Sequence, residues 1–193
     1  MKILFVSLGC DKNLVDTEKM LGILGHDGFQ FTDMEEEADV IIINTCCFIG
    51  DAKEESVNTI LEMARYKEEG RCKALLVAGC LAQRYKEEIL EEIPEVDGIL
   101  GTSSYDQIGS LLKQILEEKK EHISCFHDIN ALPRTQSGRM VTTGGHYAFL
   151  KIAEGCDKHC TYCIIPSLRG SYRSVPMEEL LSEARELAAQ GVK

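Results

Sequence analysis

The spacing of apolar positions changes along the chain and marks out alternating strands and helices. Residues 2–6, 40–43 and 74–77 are short continuous apolar runs, rich in β-branched and aliphatic side chains and bounded by polar or turn residues. Runs of this kind read as strands buried on both faces. Each is followed by apolar residues at helical spacing, over 13–25, 51–67 and 82–92. A fourth pair comes next: a short strand at 98–100 and a helix over 104–119, where Ile108, Leu111, Leu112, Ile115 and Leu116 fall on one face. Strand alternating with helix predicts an α/β fold with a doubly wound parallel sheet, whose ligand sites lie beyond the carboxyl ends of the strands.

The pattern then breaks. Residues 121–147 lack sustained periodicity, include Pro133, Gly138 and the pair Gly144-Gly145, and read as a connection with one short strand near 123–126. A strand over 147–153 and a helix beginning at Pro176 follow, with Ser174 as a candidate cap, Glu178 and Glu179 in the first turn and Gly191 as the stop. Met177, Leu180, Leu181, Ala184 and Leu187 give that helix one apolar face, expected to pack in a core. The chain therefore divides into an α/β domain over 1–120, a connection over 121–147, and a single β/α unit over 148–193. One such unit cannot bury both faces of its own sheet, so the last segment reads as the start of an incomplete domain.

Charge adds an asymmetry. The net charge of the 193 residues is −11. Residues 145–193 carry six basic and six acidic side chains, so 15 basic and 26 acidic ones remain for residues 1–144. An acidic domain is a poor platform for a phosphate backbone and suits a basic protein partner. No run of 18 apolar residues occurs, so no membrane span is expected. The opening ten residues are too short for a signal peptide and read better as a first strand. Nine cysteines, an odd number without a secretory signal, argue for a reducing cytoplasm and against a disulfide framework.

Six of those cysteines form two sets of three. Cys156, Cys160 and Cys163 make a CxxxCxxC run. Three closely spaced thiolates can cap three corners of a 4Fe-4S cube and leave one iron for a small molecule. Zinc held by these cysteines with His159 is the competing reading, in which the metal merely staples a loop and the chain is a non-enzymatic binding module. The second set lies just after the three predicted strands: Cys10, Cys46 with its neighbour Cys47, and Cys80. A parallel sheet would gather them at one edge, where they could cap a second cube; taken singly, each reads first as an ordinary buried thiol, and it is the three equivalent positions that raise the ligand reading beside it. Cys72 and Cys125 lie outside any motif. No phosphate-binding GxxxxGK[ST] and no Ser/His/Asp arrangement is evident.

The stretch Lys151-Ile-Ala-Glu-Gly-Cys156 through Cys163-Ile-Ile-Pro166, with Arg169-Gly170 and Arg173-Ser174 after it, resembles the radical S-adenosylmethionine methylthiotransferases. The opening Ser7-Leu-Gly-Cys10-Asp-Lys-Asn13-Leu-Val-Asp16-Thr-Glu18 is similar to the branch of that family that modifies a ribosomal protein. The resemblance implies two 4Fe-4S clusters, with S-adenosylmethionine on the open iron of the Cys156, Cys160, Cys163 cube. It implies an auxiliary, sulfur-carrying cube on Cys10, Cys46 and Cys80, choosing Cys46 over Cys47 through the Asn44-Thr-Cys46 pattern. It also implies that 148–193 opens a partial TIM-type barrel, and that a further substrate-recognition domain, the only expected route to RNA contact, lies outside the sequence. Tyr162 matches an aromatic position near the adenine, and packing under the loop is its ordinary alternative. Arg169 and Arg173 read either as partners for a carboxylate or as solvated loop charges. Asn13, Asp16 and Glu18 match the motif, although a plain helix start also explains them. The implied reaction is methylthiolation of the β-carbon of an aspartate in small-subunit ribosomal protein twelve, with an electron donor such as flavodoxin or ferredoxin. The alternative substrate is isopentenyladenosine in transfer RNA, handled by the sister branch.

Overall fold

The three apolar runs become adjacent central strands of a six-stranded, wholly parallel sheet. A computed structural model describes residues 1–133 and 138–193. In chain order the first region comprises β1 (Lys2–Ser7), α1 (Asp11–His26), β2 (Gln30–Thr32), β3 (Val40–Thr45), α2 (Gly50–Glu68), β4 (Ala74–Gly79), α3 (Cys80–Tyr85), α4 (Glu87–Glu92), β5 (Gly98–Leu100), α5 (Ile108–Leu116) and β6 (Ile123–Cys125). The strand order is β2-β1-β3-β4-β5-β6. The chain first winds outward to β2 and then crosses back to β3. This reversal leaves a crevice between the loops that follow β1 and β3, where ligands of such sheets bind.

Strand alternation sorts the core into two layers. Ile3, Val40, Ile42 and Leu76 face α1 and α5 through Met20, Leu24, Ile108 and Leu112. Ile41, Ile43, Leu75 and Val77 face α2 through Ile60 and Met63. β3 and β4 are buried along their full length, which is why their sequences are apolar without alternation.

Several elements differ from the sequence reading. The edge strand β2 was not expected; its three residues, Gln30-Phe-Thr, are too few and too polar to stand out. The helix predicted over 82–92 starts earlier, at Cys80, and splits into α3 and α4 at Lys86, whose φ is +46°. The helix predicted from 104 opens with a 3₁₀ turn at Tyr105–Gln107 before α5.

The second region departs further. It contains β7 (Ala153–Glu154), α6 (Ile165–Arg169), β8 (Arg173–Ser174) and α7 (Met177–Ala189). The strand expected over 147–153 is reduced to β7, which pairs antiparallel with β8. Among the described residues no strand lies alongside 147–152, so a β ladder there has no partner for its N–H and C=O groups. Ser174 belongs to β8 and does not cap α7, which starts behind Pro176. The apolar face of α7 is mostly uncovered: Leu187 is buried, while Met177 and Leu181 are exposed. No helix among the described residues is long and apolar enough to cross a membrane.

Candidate metal centres at the strand ends

Cys10, Cys46 and Cys80 stand at the carboxyl ends of β1, β3 and β4, three neighbours in the sheet. Cys10 flanks the first turn of α1 and is exposed; Cys46 and Cys80 are buried. The backbone of Cys46 is clamped by Ser56 of α2, whose hydroxyl accepts from the Cys46 N–H at 3.0 Å and donates to its carbonyl at 2.8 Å. The β1 loop closes onto the same residue. Gly9 has φ +92°, and a Cβ there would sit 3.0 Å from Cys46 Sγ, so only glycine lets this loop lie so close. Cys47 donates to the Cys80 carbonyl at 3.2 Å and packs in the α2-side core. Cys80 Sγ is 3.8 Å from both Asn13 Oδ1 and Arg169 Nη2. Burial pushes its thiol up to about 12, and the nearby guanidinium opposes this only in part.

The other three cysteines lie on the loop between β7 and α6. Cys156 and Cys163 are half-buried and Cys160 is exposed. The loop is pinned at its start, where the Cys156 N–H donates to the Gly170 carbonyl at 3.0 Å, and a turn closes it internally, the Cys163 N–H donating to the Cys160 carbonyl at 2.9 Å. Tyr162 is 89% exposed, so it does not pack under the loop. Among the described residues, no three Cys, His, Asp or Glu side chains converge into a preformed metal site. The chemistry of the donor set nevertheless fits iron–sulfur ligation. Three thiols stand at neighbouring strand ends, two of them buried and one beside a fixed cation, and three more fall within eight residues of one loop.

Sequence reading missed what joins the two sets. Asn13, Asp16, Thr17 and Glu18, which resemble an ordinary helix start, are all buried. Asn13 donates to the carbonyls of Leu8 and Thr45 at 3.0 and 2.8 Å, while Asn44 Nδ2 donates to the Asn13 carbonyl and to Thr17 Oγ1. These bonds tie α1 to the ends of β1 and β3. The remaining polar groups of α1 receive the second region. Arg169, 3% exposed, donates to Asp16 Oδ2 at 2.8 Å, Glu154 Oε2 at 2.9 Å and Asn13 Oδ1. It meets carboxylates, as one of its two readings held, and they are the chain's own. Lys151 bridges Asp16 and Glu154. Arg139 Nε donates to Glu18 Oε2 at 2.6 Å, and its Nη1 pairs with Glu183 of α7 at 3.0 Å. Arg173 instead ties backbone carbonyls, including those of Arg169 and Ile129. At Gly22 the chain near residue 138 crosses α1 so closely that a Cβ would sit 1.8 Å from the Gly138 carbonyl oxygen.

This network shifts its own charges. Burial raises the Glu154 carboxyl, but Lys151 and Arg169, with Lys12 beyond, outweigh it and hold the group at about 2. Burial disfavours the Arg169 cation, yet Asp16 and Glu154 raise its pKa well above the usual arginine value. A signal for this network existed in the sequence: Asn13, Asp16 and Thr17 fall at helical spacing with Met20 and Leu24, on the face that α1 buries. The cationic partners of Asp16 and Glu18 lie 121 to 153 positions away, beyond the reach of local pattern.

Comparison with known proteins follows the same geometry. Residues 2–101 match the model of a family described as "Uncharacterized protein family UPF0004". Over its whole length the chain is 62% identical to the ribosomal protein uS12 methylthiotransferase RimO of Lachnoclostridium phytofermentans and covers 43% of that relative. It is 52% identical to the RimO of Acetivibrio thermocellus and 50% identical to that of Clostridioides difficile, again covering 43% of each. The chain thus spans less than half the length of the curated relatives it matches. The matched family region runs from β1 to β5 and contains Cys10, Cys46 and Cys80 with the strands that carry them; this chain belongs to the UPF0004 family and is homologous to part of the RimO methylthiotransferases.

Proposed function

We propose that this chain is part of a radical S-adenosylmethionine methylthiotransferase acting on an aspartate β-carbon of ribosomal protein uS12. In this reading Cys10, Cys46 and Cys80 hold an auxiliary 4Fe-4S cluster, and Cys156, Cys160 and Cys163 hold the cluster that takes S-adenosylmethionine. When bound, these groups supply reductive cleavage of the sulfonium and the sulfur that is transferred. The chain's own residues hold, orient and shield. Ser56 and Gly9 fix the backbone around Cys46; Asn13 ties the loops after β1 and β3; Arg169, Lys151 and Glu154 press the CxxxCxxC segment onto the strand ends. Tyr162 offers an exposed ring on which an adenine can stack. Residues 148–193 are read as the opening of a partial TIM-type barrel, after an α/β domain over 1–120 and a connection over 121–147.

The observation that best supports this reading is the docking of the second cysteine segment against the carboxyl ends of the strands that carry the first. Methylthiolation needs the sulfur source and the radical source near one substrate carbon, and a zinc staple would need no such proximity. The names of the similar proteins favour uS12 over transfer RNA. An acidic first region, with 26 acidic against 15 basic side chains over 1–144, suits a basic ribosomal protein.

The test is iron, sulfide and zinc per chain after anaerobic reconstitution, repeated with Cys10, Cys46 and Cys80 changed to alanine. Two cubes falling to one supports the assignment; zinc alone, or one cube indifferent to those substitutions, ends it. The substrate is tested on a protein of full family length with flavodoxin or ferredoxin as reductant. A mass gain on transfer RNA and none on uS12 would move the protein to the sister branch.

A further inference from the structure

We propose that Arg169 is the positioning residue joining the two cysteine sites: it pins the Cys156, Cys160, Cys163 loop to the strand ends and holds a fixed positive charge against Cys80. The proposal rests on the cluster-binding reading above and adds a residue to it. Arg169 lies six positions after Cys163, at the end of α6, and its side chain reaches across to the other site. Its guanidinium is spread over Asp16, Glu154 and Asn13, with Nη2 at 3.8 Å from Cys80 Sγ. Its backbone is equally fixed. Leu168 is buried in the same core cluster as Cys47, Cys80 and Leu81, and its carbonyl accepts from Thr102 Oγ1 at 2.6 Å.

The buried charges around this point balance: the carboxylates of Asp16 and Glu154 face Arg169 and Lys151, and the half-exposed Lys12 lies 3.6 Å from Glu154 at the rim. The same guanidinium stands beside Cys80, so an anionic cluster held by that residue would meet a cation already fixed in place. An arginine suits the task because it stays charged in any environment and its planar fork can serve several acceptors at once. Lysine can supply the charge but not the fork.

The two roles separate experimentally. In a chain whose Cys156, Cys160 and Cys163 are alanine, only the strand-end site can take up iron and sulfide. After anaerobic reconstitution of that chain, Arg169→Gln is expected to retain severalfold less iron and to lower the midpoint potential of what it retains, because a lost cation makes adding an electron less favourable. Arg169→Lys is expected to restore the potential. In the metal-free chain with its own cysteines, both variants are expected to speed hydrogen exchange of the Cys156 amide and its loop, since neither keeps the fork. A bound cluster whose potential is the same in the Gln and Lys variants overturns the electrostatic role, and unchanged loop exchange overturns the positioning role. Should the parent chain bind no cluster, the cluster reading itself fails, and the exchange measurement still decides whether Arg169 pins the loop. If Arg169→Gln alone does not fold, Arg169→Gln with Asp16→Asn removes the orphaned carboxylate, leaves the Lys151–Glu154 pair, and carries the same expectations.

Discussion

The two cysteine sets are equal in number and opposite in construction. Cys10, Cys46 and Cys80 come from segments 36 and 34 residues apart, and the parallel sheet brings those segments side by side. Cys156, Cys160 and Cys163 need no sheet to be neighbours, because eight residues of one loop contain them. The strand-end site depends on a buried core, whereas the loop site depends on a handful of buried ion pairs that dock it. The difference teaches where each site is vulnerable: damage to the core should spoil the first, and damage to the docking should free the second.

The strongest way to break the comparison is through the docking. Glu18 is buried completely and receives Arg139, which is itself 3% exposed at its side chain. Glu18→Ala leaves that guanidinium short of its main partner, and removing one member of a buried pair costs about 3–5 kcal/mol. Urea unfolding is expected to show this loss, with hydrogen exchange rising first in residues 139–175. A cost below ~1 kcal/mol would mean that Glu183 alone neutralises Arg139 and that Glu18 is not the anchor.

A core substitution should act on the other site. Ile42 is buried completely in β3, between the strands that carry Cys10 and Cys80, and packs toward α1 and α5. Ile42→Ala is expected to cost about 2–5 kcal/mol through lost burial and the cavity it leaves. After reconstitution, iron should fall in the strand-end site while the loop site keeps its share. Equal losses at both sites would show that the two regions fold as one cooperative unit.

Acid offers a finer separation. Glu154 is held at about 2, well below the usual carboxylate range, by Lys151 and Arg169, which outweigh its burial. A lowered carboxyl stabilises the fold fully above about 4.5, and that stability is lost as pH falls toward 2. The contribution at neutral pH is on the order of 3 kcal/mol. Asp39 is also held at about 2, by the Lys2 N–H and Arg71 at the opposite end of β1, so both regions weaken in acid. The contrast between wild type and Glu154→Gln isolates the docking: the stability gap between them should close between pH 4.5 and 2, while Asp39→Asn leaves the loop's exchange rates unchanged.

The sheet was legible because burial on both faces forces continuous apolar runs, and the cysteines stand immediately after those runs. What escaped was polar. Asp16 and Glu18 earn their burial from Arg169 and Arg139, whose Gly- and Ser-containing neighbourhoods look solvated, and from Lys151, which lies in the segment expected to be a strand. The expected strand over 147–153 failed for a related reason: alternating residues such as Tyr147, Phe149 and Lys151 satisfy a strand pattern, but a strand is stable only beside another. The helix break at Lys86 carries no glycine or proline to announce it. Local pattern thus recovers the elements whose burial is apolar and local, and loses those whose partners are charged and distant.

The smallest expected effect sharpens the comparison at the level of one side chain. Tyr162 sits between Cys160 and Cys163, is 89% exposed, and lies outside both core clusters. Tyr162→Ala should therefore change the unfolding free energy by no more than about 0.5 kcal/mol, the ordinary range for an exposed position. A large residue with so little structural role is free to serve a ligand. In the iron-loaded protein the same substitution is expected to weaken S-adenosylmethionine binding, measured by calorimetry, by about 1–3 kcal/mol if the ring stacks on the adenine. A stability loss well above 1 kcal/mol with unchanged ligand affinity would return Tyr162 to packing. It would also show that the loop site, like the strand-end site, is built from buried contacts.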